Sequence, residues 1–168
     1  MIQQTLVVLK PDAIKRGLVW EIISRFEKVW LHLVAMKMVW VDDELAHKHY
    51  EWIGTMITRY GNDIFQTNAE FMKSGPVIAM IREWPEAIAV VRKMIGSTEP
   101  KSSLPGTIRG DYSIANYGYV NSNGAWLTNL VHASANEEEA TPEVALWFNN
   151  EEIHNHEMMW QQFKRGHK

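Results

Sequence analysis

The residues best placed to do chemistry lie in Asn129-Leu130-Val131-His132-Ala133-Ser134. An apolar pair delivers one histidine to the end of a short strand-like run, small polar residues follow, and an acidic, helix-like run lies beyond. A neutral imidazole has a free lone pair near pH 7, so a histidine presented this way can act as a nucleophile without a separate base. Cations stand elsewhere in the chain. Lys10 closes an early apolar run, Arg92 lies in a segment of helical spacing, and Arg109 belongs to Pro105-Gly106-Thr107-Ile108-Arg109-Gly110-Asp111, within a long polar stretch. Taken singly each reads as an ordinary surface residue. Their placement beside strand ends and on a loop is what allows them to converge.

Thr5 to Leu9 is rich in β-branched residues and is ended by Pro11, which predicts a buried central strand with Lys10 at its C-terminal end, where ligands gather in open sheets. Val19, Ile22, Ile23 and Phe26 recur at helical spacing and predict a helix from about Val19 to Lys28. Leu31 to Val41 reads as the second strand, and Asp42 or Asp43 caps a helix that runs on through Tyr50. His47 and His49 lie on that helix, but residues two apart face different directions, which argues against a metal site. Ile53 to Gln66, broken by Gly54 and Gly61, predicts a turn plus a short helix.

Ser74-Gly75-Pro76 introduces a third strand, Val77 to Ile81. Glu86 to Ile95 predicts a helix packed on the sheet, with Gly96 at its left-handed end. Residues 97 to 128 are rich in Gly, Ser, Asn and Pro, and so long a segment in a compact domain is usually a functional loop. Leu130-Val131 reads as the last strand, and Thr141-Pro142-Glu143 as the start of the last helix, with Thr141 as cap and Pro142 in the first turn. The tail, 151 to 168, carries a Met158, Met159, Trp160, Phe163 stripe suited to a helix resting on the body or on a neighbour. Strand, helix, strand, strand, helix, strand predicts an α+β protein: a ferredoxin-like βαββαβ sandwich with an antiparallel sheet and helices packed on it.

A chain of 168 residues with net charge −3 and nearly half its residues hydrophobic suits a single globular domain. The charge balance argues against a nucleic-acid partner, and Lys164, Arg165 and Lys168 in the tail read as solvated. Cysteine is absent, which removes disulfides and thiolate metal sites and fits a reducing compartment. No stretch has the length of a membrane span, and the opening apolar run is too short for a signal peptide, so the cytoplasm is the expected address.

Lys10-Pro11-Asp12-Ala13, Ser74-Gly75-Pro76, Thr107 to Asp111, Asn129 to Ser134 and Ala145 to Phe148 occur in one chain in this order. Together they resemble the nucleoside diphosphate kinase family over about residues 4 to 150. The resemblance implies a catalytic domain over 1 to 150, the ferredoxin-like fold, and a homo-oligomer, hexamer or tetramer. It implies transfer of the terminal phosphate of a nucleoside triphosphate to a nucleoside diphosphate through phosphohistidine on His132, with Mg2+ bound to the nucleotide. Such a reaction needs cations on the phosphates and an in-line nucleophile. The resemblance assigns Lys10, Arg92 and Arg109 to the phosphates, with the hydroxyl of Thr98. It implies that Asn129 contacts the ribose with Lys10, that Tyr50 stands beside the phosphohistidine, and that Glu143, supported by Ser134, holds the imidazole ring. Glu143 also suits the first turn of a helix through the dipole, and both readings stand.

The departures are specific. Ala135 stands where the family has an acidic residue, so the magnesium ion would rest on the nucleotide phosphates alone. The family's base-stacking Phe-Phe pair aligns with Ile64-Phe65 after an insertion of about six residues, which leaves either residue as the base contact. Tyr112 to Thr128 includes about ten extra residues, expected at the surface or at a subunit contact. Trp20, Trp30 and Trp84 fall where the family usually has glycine. Two explanations stand: tolerated surface substitution, or UGA codons that the organism reads as glycine. Two rival functions also stand on the residues alone, a silent nucleotide-binding or scaffold protein and a kinase that passes phosphohistidine to other proteins.

Overall fold

The computed structural model describes residues 2–157. Its strands are β1 (Ile2–Leu9), β2 (His32–Val39), β3 (Val77–Pro85) and β4 (Val131–Ala133). They form one sheet in the order β2-β3-β1-β4 with every pairing antiparallel, which is the ferredoxin-like α+β arrangement. The helices are α1 (Pro11–Lys15), α2 (Val19–Lys28), α3 (Asp43–His47), α4 (Met56–Tyr60), α5 (Asn62–Lys73), α6 (Ala87–Ile95), α7 (Ile108–Tyr112), α8 (Tyr117–Asn123) and α9 (Glu137–Trp147).

Alternation along the strands builds two cores. Val7, Leu9, Met80, Val131 and Ala133 share one with Ile22 and Phe26 of α2 and Val91 and Ile95 of α6. Leu6, Val8, Ala79 and Ile81 share the other with Ala46 of α3, Ala69 and Met72 of α5 and Trp147 of α9. His132 lies between Val131 and Ala133 and opposite Val8, so it faces the second layer. Register alone therefore aims the imidazole at α9 and at the segment after α3.

Three local expectations are corrected. The last helix does not begin at Thr141: Asn136 caps it by accepting from Glu139 N at 2.9 Å, and Glu137, Glu138 and Glu139 occupy the dipole-favoured first turn. Pro142 is inside the helix, where it lacks the N–H that would bond the Glu138 carbonyl. Glu143 is thus a buried mid-helix residue rather than a first-turn one. Leu130 is not in the last strand, which starts at Val131; its φ is +68°. The helix capped by Asp42 does not run regularly through Tyr50 but widens after α3 into a π-helix, Lys48–Ile53. Such widened turns recur at functional sites.

Beyond α9, Asn149 and Glu152 form a reciprocal cap, Lys37 pairs with Glu152 at 2.7 Å, and His154 N donates to Val34 O at 2.8 Å on the outer edge of β2. The Met158, Met159, Trp160, Phe163 stripe and the basic residues after it lie outside the described residues. The helix α4 precedes the Ile64-Phe65 pair, and α8 lies exposed within 112–128. Trp30 has φ +66° at the end of α2, where Leu31 N returns to Phe26 O and Trp30 N to Glu27 O. This helix ending favours glycine at the position Trp30 occupies. Trp20 and Trp84 have no positive φ.

Candidate active site

His132 is carried by β4 and Glu143 by α9. Nε2 of His132 lies 2.8 Å from Glu143 Oε1, and Ser134 Oγ donates to Glu143 Oε2 at 2.5 Å. Ser134 is itself fixed, since its N donates to Leu6 O and its Oγ accepts from Leu6 N. A carboxylate accepts, so Nε2 carries the proton and Nδ1 presents the lone pair. Among the described residues none hydrogen-bonds Nδ1, and the side chain is about one-fifth exposed. Burial pushes the Glu143 carboxyl up, but the charge of His132, the bond from it, and His49 and Ser134 outweigh burial and hold the pKa at about 2.

The π-helix adds a residue that the sequence reading weighed only as a metal ligand, paired with His47. His49 is buried, its ring 4.4 Å from that of His132 and nearly perpendicular to it. Trp147 Nε1 donates to its Nδ1 at 3.3 Å, which leaves the proton on a buried Nε2 that has no hydrogen-bond partner. Burial, then the neighbouring His132, lower its pKa to about 3, so it is a neutral wall behind the reactive ring. Tyr50 packs on His49 with its hydroxyl buried and without a hydrogen-bond partner, and burial raises its pKa. His49, His132 and Glu143 offer ligand atoms within 4.8 Å of one another, but those of His132 and Glu143 are bonded to each other and His49 Nδ1 to Trp147.

The cations do gather. Lys10 Nζ donates to Asn129 Oδ1 at 2.8 Å, and Asn129 Nδ2 donates to Thr98 O at 2.9 Å, so the amide is oriented from both ends. Burial, with Arg109 nearby, lowers the Lys10 pKa to about 8. Burial and then Arg92 lower that of Arg109 to about 10. Lys10 is thus raised in energy by Arg109 and Arg109 by Arg92, and an anion among them would relieve that. Arg92 Nη1 reaches Ala133 O at 3.5 Å, and the Thr98 side chain is at the surface.

Arg109 is unusual in how much of it the backbone uses. Its Nε donates to Asn129 O, Nη1 to Gly96 O and Nη2 to Val131 O, at 3.1, 3.0 and 2.5 Å. A guanidinium has five N–H bonds, so two are left for a ligand. Of the two base-contact candidates, Phe65 is buried against His47, whereas Ile64 is 43% exposed. Asp12, second in α1, is buried and accepts from Leu130 N; it was visible only as part of a motif.

For magnesium, Glu143 is committed through both oxygens, and Asp12 uses one oxygen for Leu130 N and keeps the other buried without a hydrogen-bond partner. Ala135 adds no charge. Among the described residues no carboxylate cage for the ion forms at this cluster, so the nucleotide phosphates would hold it.

An antiparallel α+β sheet that carries an imidazole–carboxylate pair on a strand whose carbonyls on either side of His132 bond Arg109 and Arg92 defines a class suited to phosphoryl transfer. The nucleoside diphosphate kinase family model matches residues 3–153, and the chain belongs to that family. It is 43% identical over 156 residues to the nucleoside diphosphate kinase of Borreliella burgdorferi, covering 93% of each chain. It is 44% identical over 155 residues to that of Pyrococcus furiosus, covering 92% of this chain and 88% of the relative. Among solved structures, the Borrelia burgdorferi enzyme captured as a transition-state mimic with vanadate and ADP superposes with a TM-score of 0.91 at 42% identity, covering 95% of each chain. The Halobacterium salinarum enzyme in complex with CDP gives 0.81 at 33% identity, covering 97% of this chain and 98% of that one. The enzyme class and fold that the motifs implied therefore hold.

Proposed function

We propose that the family's phosphotransfer runs in this chain through Nδ1 of His132. In the first half-reaction the Nδ1 lone pair forms a bond to the terminal phosphorus of a nucleoside triphosphate while the bond from that phosphorus to the bridging oxygen breaks, releasing the diphosphate. The imidazole keeps its Nε2 proton, and the positive charge that develops on the ring faces Glu143. In the second half-reaction a diphosphate oxygen attacks the same phosphorus and the lone pair returns to Nδ1. The observation that carries this reading is the His132–Glu143 bond, which assigns the free nitrogen.

Lys10, Arg92 and the two remaining N–H bonds of Arg109 bind the phosphates, with the Thr98 hydroxyl at the rim. Lys10 and Asn129 take the ribose. Ile64 is the side chain a base can reach, and aliphatic contact reads area rather than hydrogen-bond pattern, which supports broad base tolerance. Tyr50 and His49 wall the ring. Mg2+ would arrive held by the nucleotide phosphates and would supply charge that offsets theirs. Exposed Trp20, Met38 and Trp40 support assembly with further copies, as hexamer or tetramer, and the cysteine-free composition supports a cytoplasmic setting.

A brief exposure to γ-labelled nucleoside triphosphate with Mg2+ tests the function. Acid-labile label that chases onto added diphosphate is expected. Absence of label would favour the silent scaffold, and label that moves to other proteins but not to diphosphate would favour the protein kinase.

A further inference from the structure

Leu130 separates Asn129 from His132 by an unusual piece of backbone. Its φ is +68°, and Val131 N donates to Asn129 O at 2.8 Å, closing a three-residue turn about Leu130. The positive-φ form of this γ-turn is rare and strained, and Leu has a Cβ that disfavours it. Such a conformation persists only where its surroundings over-determine it. Here they do. The Leu130 side chain is fully buried in the first core. Its carbonyl accepts from Lys10 N at 2.8 Å, its N–H donates to Asp12 Oδ2 at 3.0 Å, and Arg109 bonds the carbonyls on either side of it.

Asp12 makes the only contact of this set that a side chain offers to Leu130 itself. It is a buried carboxylate whose other oxygen, Oδ1, has no hydrogen-bond partner. Burial raises its carboxyl pKa, and the Lys10 charge with the backbone N–H groups of Leu130, Ala13 and Asp12 itself offsets only part of that cost.

We propose that Asp12 is a positioning residue, which by holding the Leu130 turn sets the offset between Asn129, on the nucleotide, and His132, at the phosphorus. The proposal rests on the roles of Asn129 and His132 given above. Relaxing the turn would carry Asn129, with the Lys10 ammonium bonded to it, out of step with the imidazole. An error of about 1 Å at such a distance from the chemistry can cost on the order of 10²-fold in rate.

Asp12→Asn keeps an acceptor oxygen in place and removes the charge, whereas Asp12→Glu keeps the charge and moves the oxygen by one methylene. Asp12→Ala removes both. Single-turnover phosphorylation of His132 at saturating nucleotide should fall less than about threefold in D12N and about tenfold or more in D12E and D12A, with little change in apparent nucleotide affinity. Amide hydrogen exchange at Leu130 should stay slow in D12N and speed up at least about tenfold in D12E, which reports the turn whether or not the variant is active. Equal losses in D12N and D12E, or a wild-type rate or protected Leu130 amide in D12E, would overturn the proposal. If the wild-type protein itself gave no label on His132, the underlying functional reading would fail instead.

Discussion

His132 donates from Nε2 to Glu143 Oε1 across 2.8 Å, and this one bond decides which nitrogen remains to react. Because Ser134 holds the other carboxylate oxygen and is itself tied to β1, the orientation of the ring is inherited from the sheet.

Replacing Glu143 by Gln keeps the shape and removes the charge that faces the ring as it becomes cationic. Phosphoenzyme formation measured by rapid quench should slow on the order of 10²-fold. A wild-type rate in this variant would count against the carboxylate having any part in the chemistry.

The same carboxylate shapes acid stability. Its folded pKa is about 2 against an ordinary 4.5, so its stabilisation is fully present above about pH 4.5 and is lost as pH falls through about 2. Urea midpoints followed from pH 5 to pH 2 should drop less steeply in the Gln variant than in the wild type. Parallel curves would refute the depressed value.

Lys10 gives a limb at the other end. With a folded pKa of about 8 it loses its charge as pH rises through that value, so kcat/KM should decline above about pH 8. Stability has the opposite sign: between about pH 8 and 10.5 the unfolded chain binds more protons at this lysine, so its contribution rises with pH. A decline in kcat/KM that persists with the same midpoint in Lys10→Arg would assign the limb to another group.

Trp30 stands at φ +66° in a helix ending that glycine fits without strain. Trp30→Gly should relieve about 1–2 kcal/mol of backbone strain and return part of it as unfolded-chain entropy, for a net gain of about 1 kcal/mol, or about 2–4 °C in Tm. Calorimetry that showed destabilisation would mean the half-exposed indole contributes more than the strain costs. Peptide mass spectrometry of the protein from its own organism decides which residue is native at 30.

Much of the site was legible because its motifs are local. Lys10 follows a strand, Arg109 follows a capping Thr107, and His132 sits in an apolar run, each within a few residues of its own signal. What the sequence hid depends on distant contacts. Asp12 meets Leu130 across 118 positions and His49 meets Trp147 across 98, and no spacing rule reaches so far. The strain at Leu130 was invisible for another reason: a leucine in an apolar stretch reads as strand, and only its fixed neighbours hold it otherwise. Thr141-Pro142 misled because it carries a helix-start signal, while Asn136 five residues earlier caps the real start and α9 continues through the proline. The winding of Lys48–Ile53 turns both His49 and Tyr50 inward, which a regular helical count does not anticipate.

The central claim is that Nδ1 of His132 carries the phosphoryl group. Heteronuclear 15N–31P NMR of the phosphorylated protein, with histidine labelled on its ring nitrogens, tests it directly. Coupling of phosphorus to Nδ1 of His132, with Nε2 still protonated, is the predicted result. Phosphorus coupled to Nε2, or found on any other residue, would contradict the account.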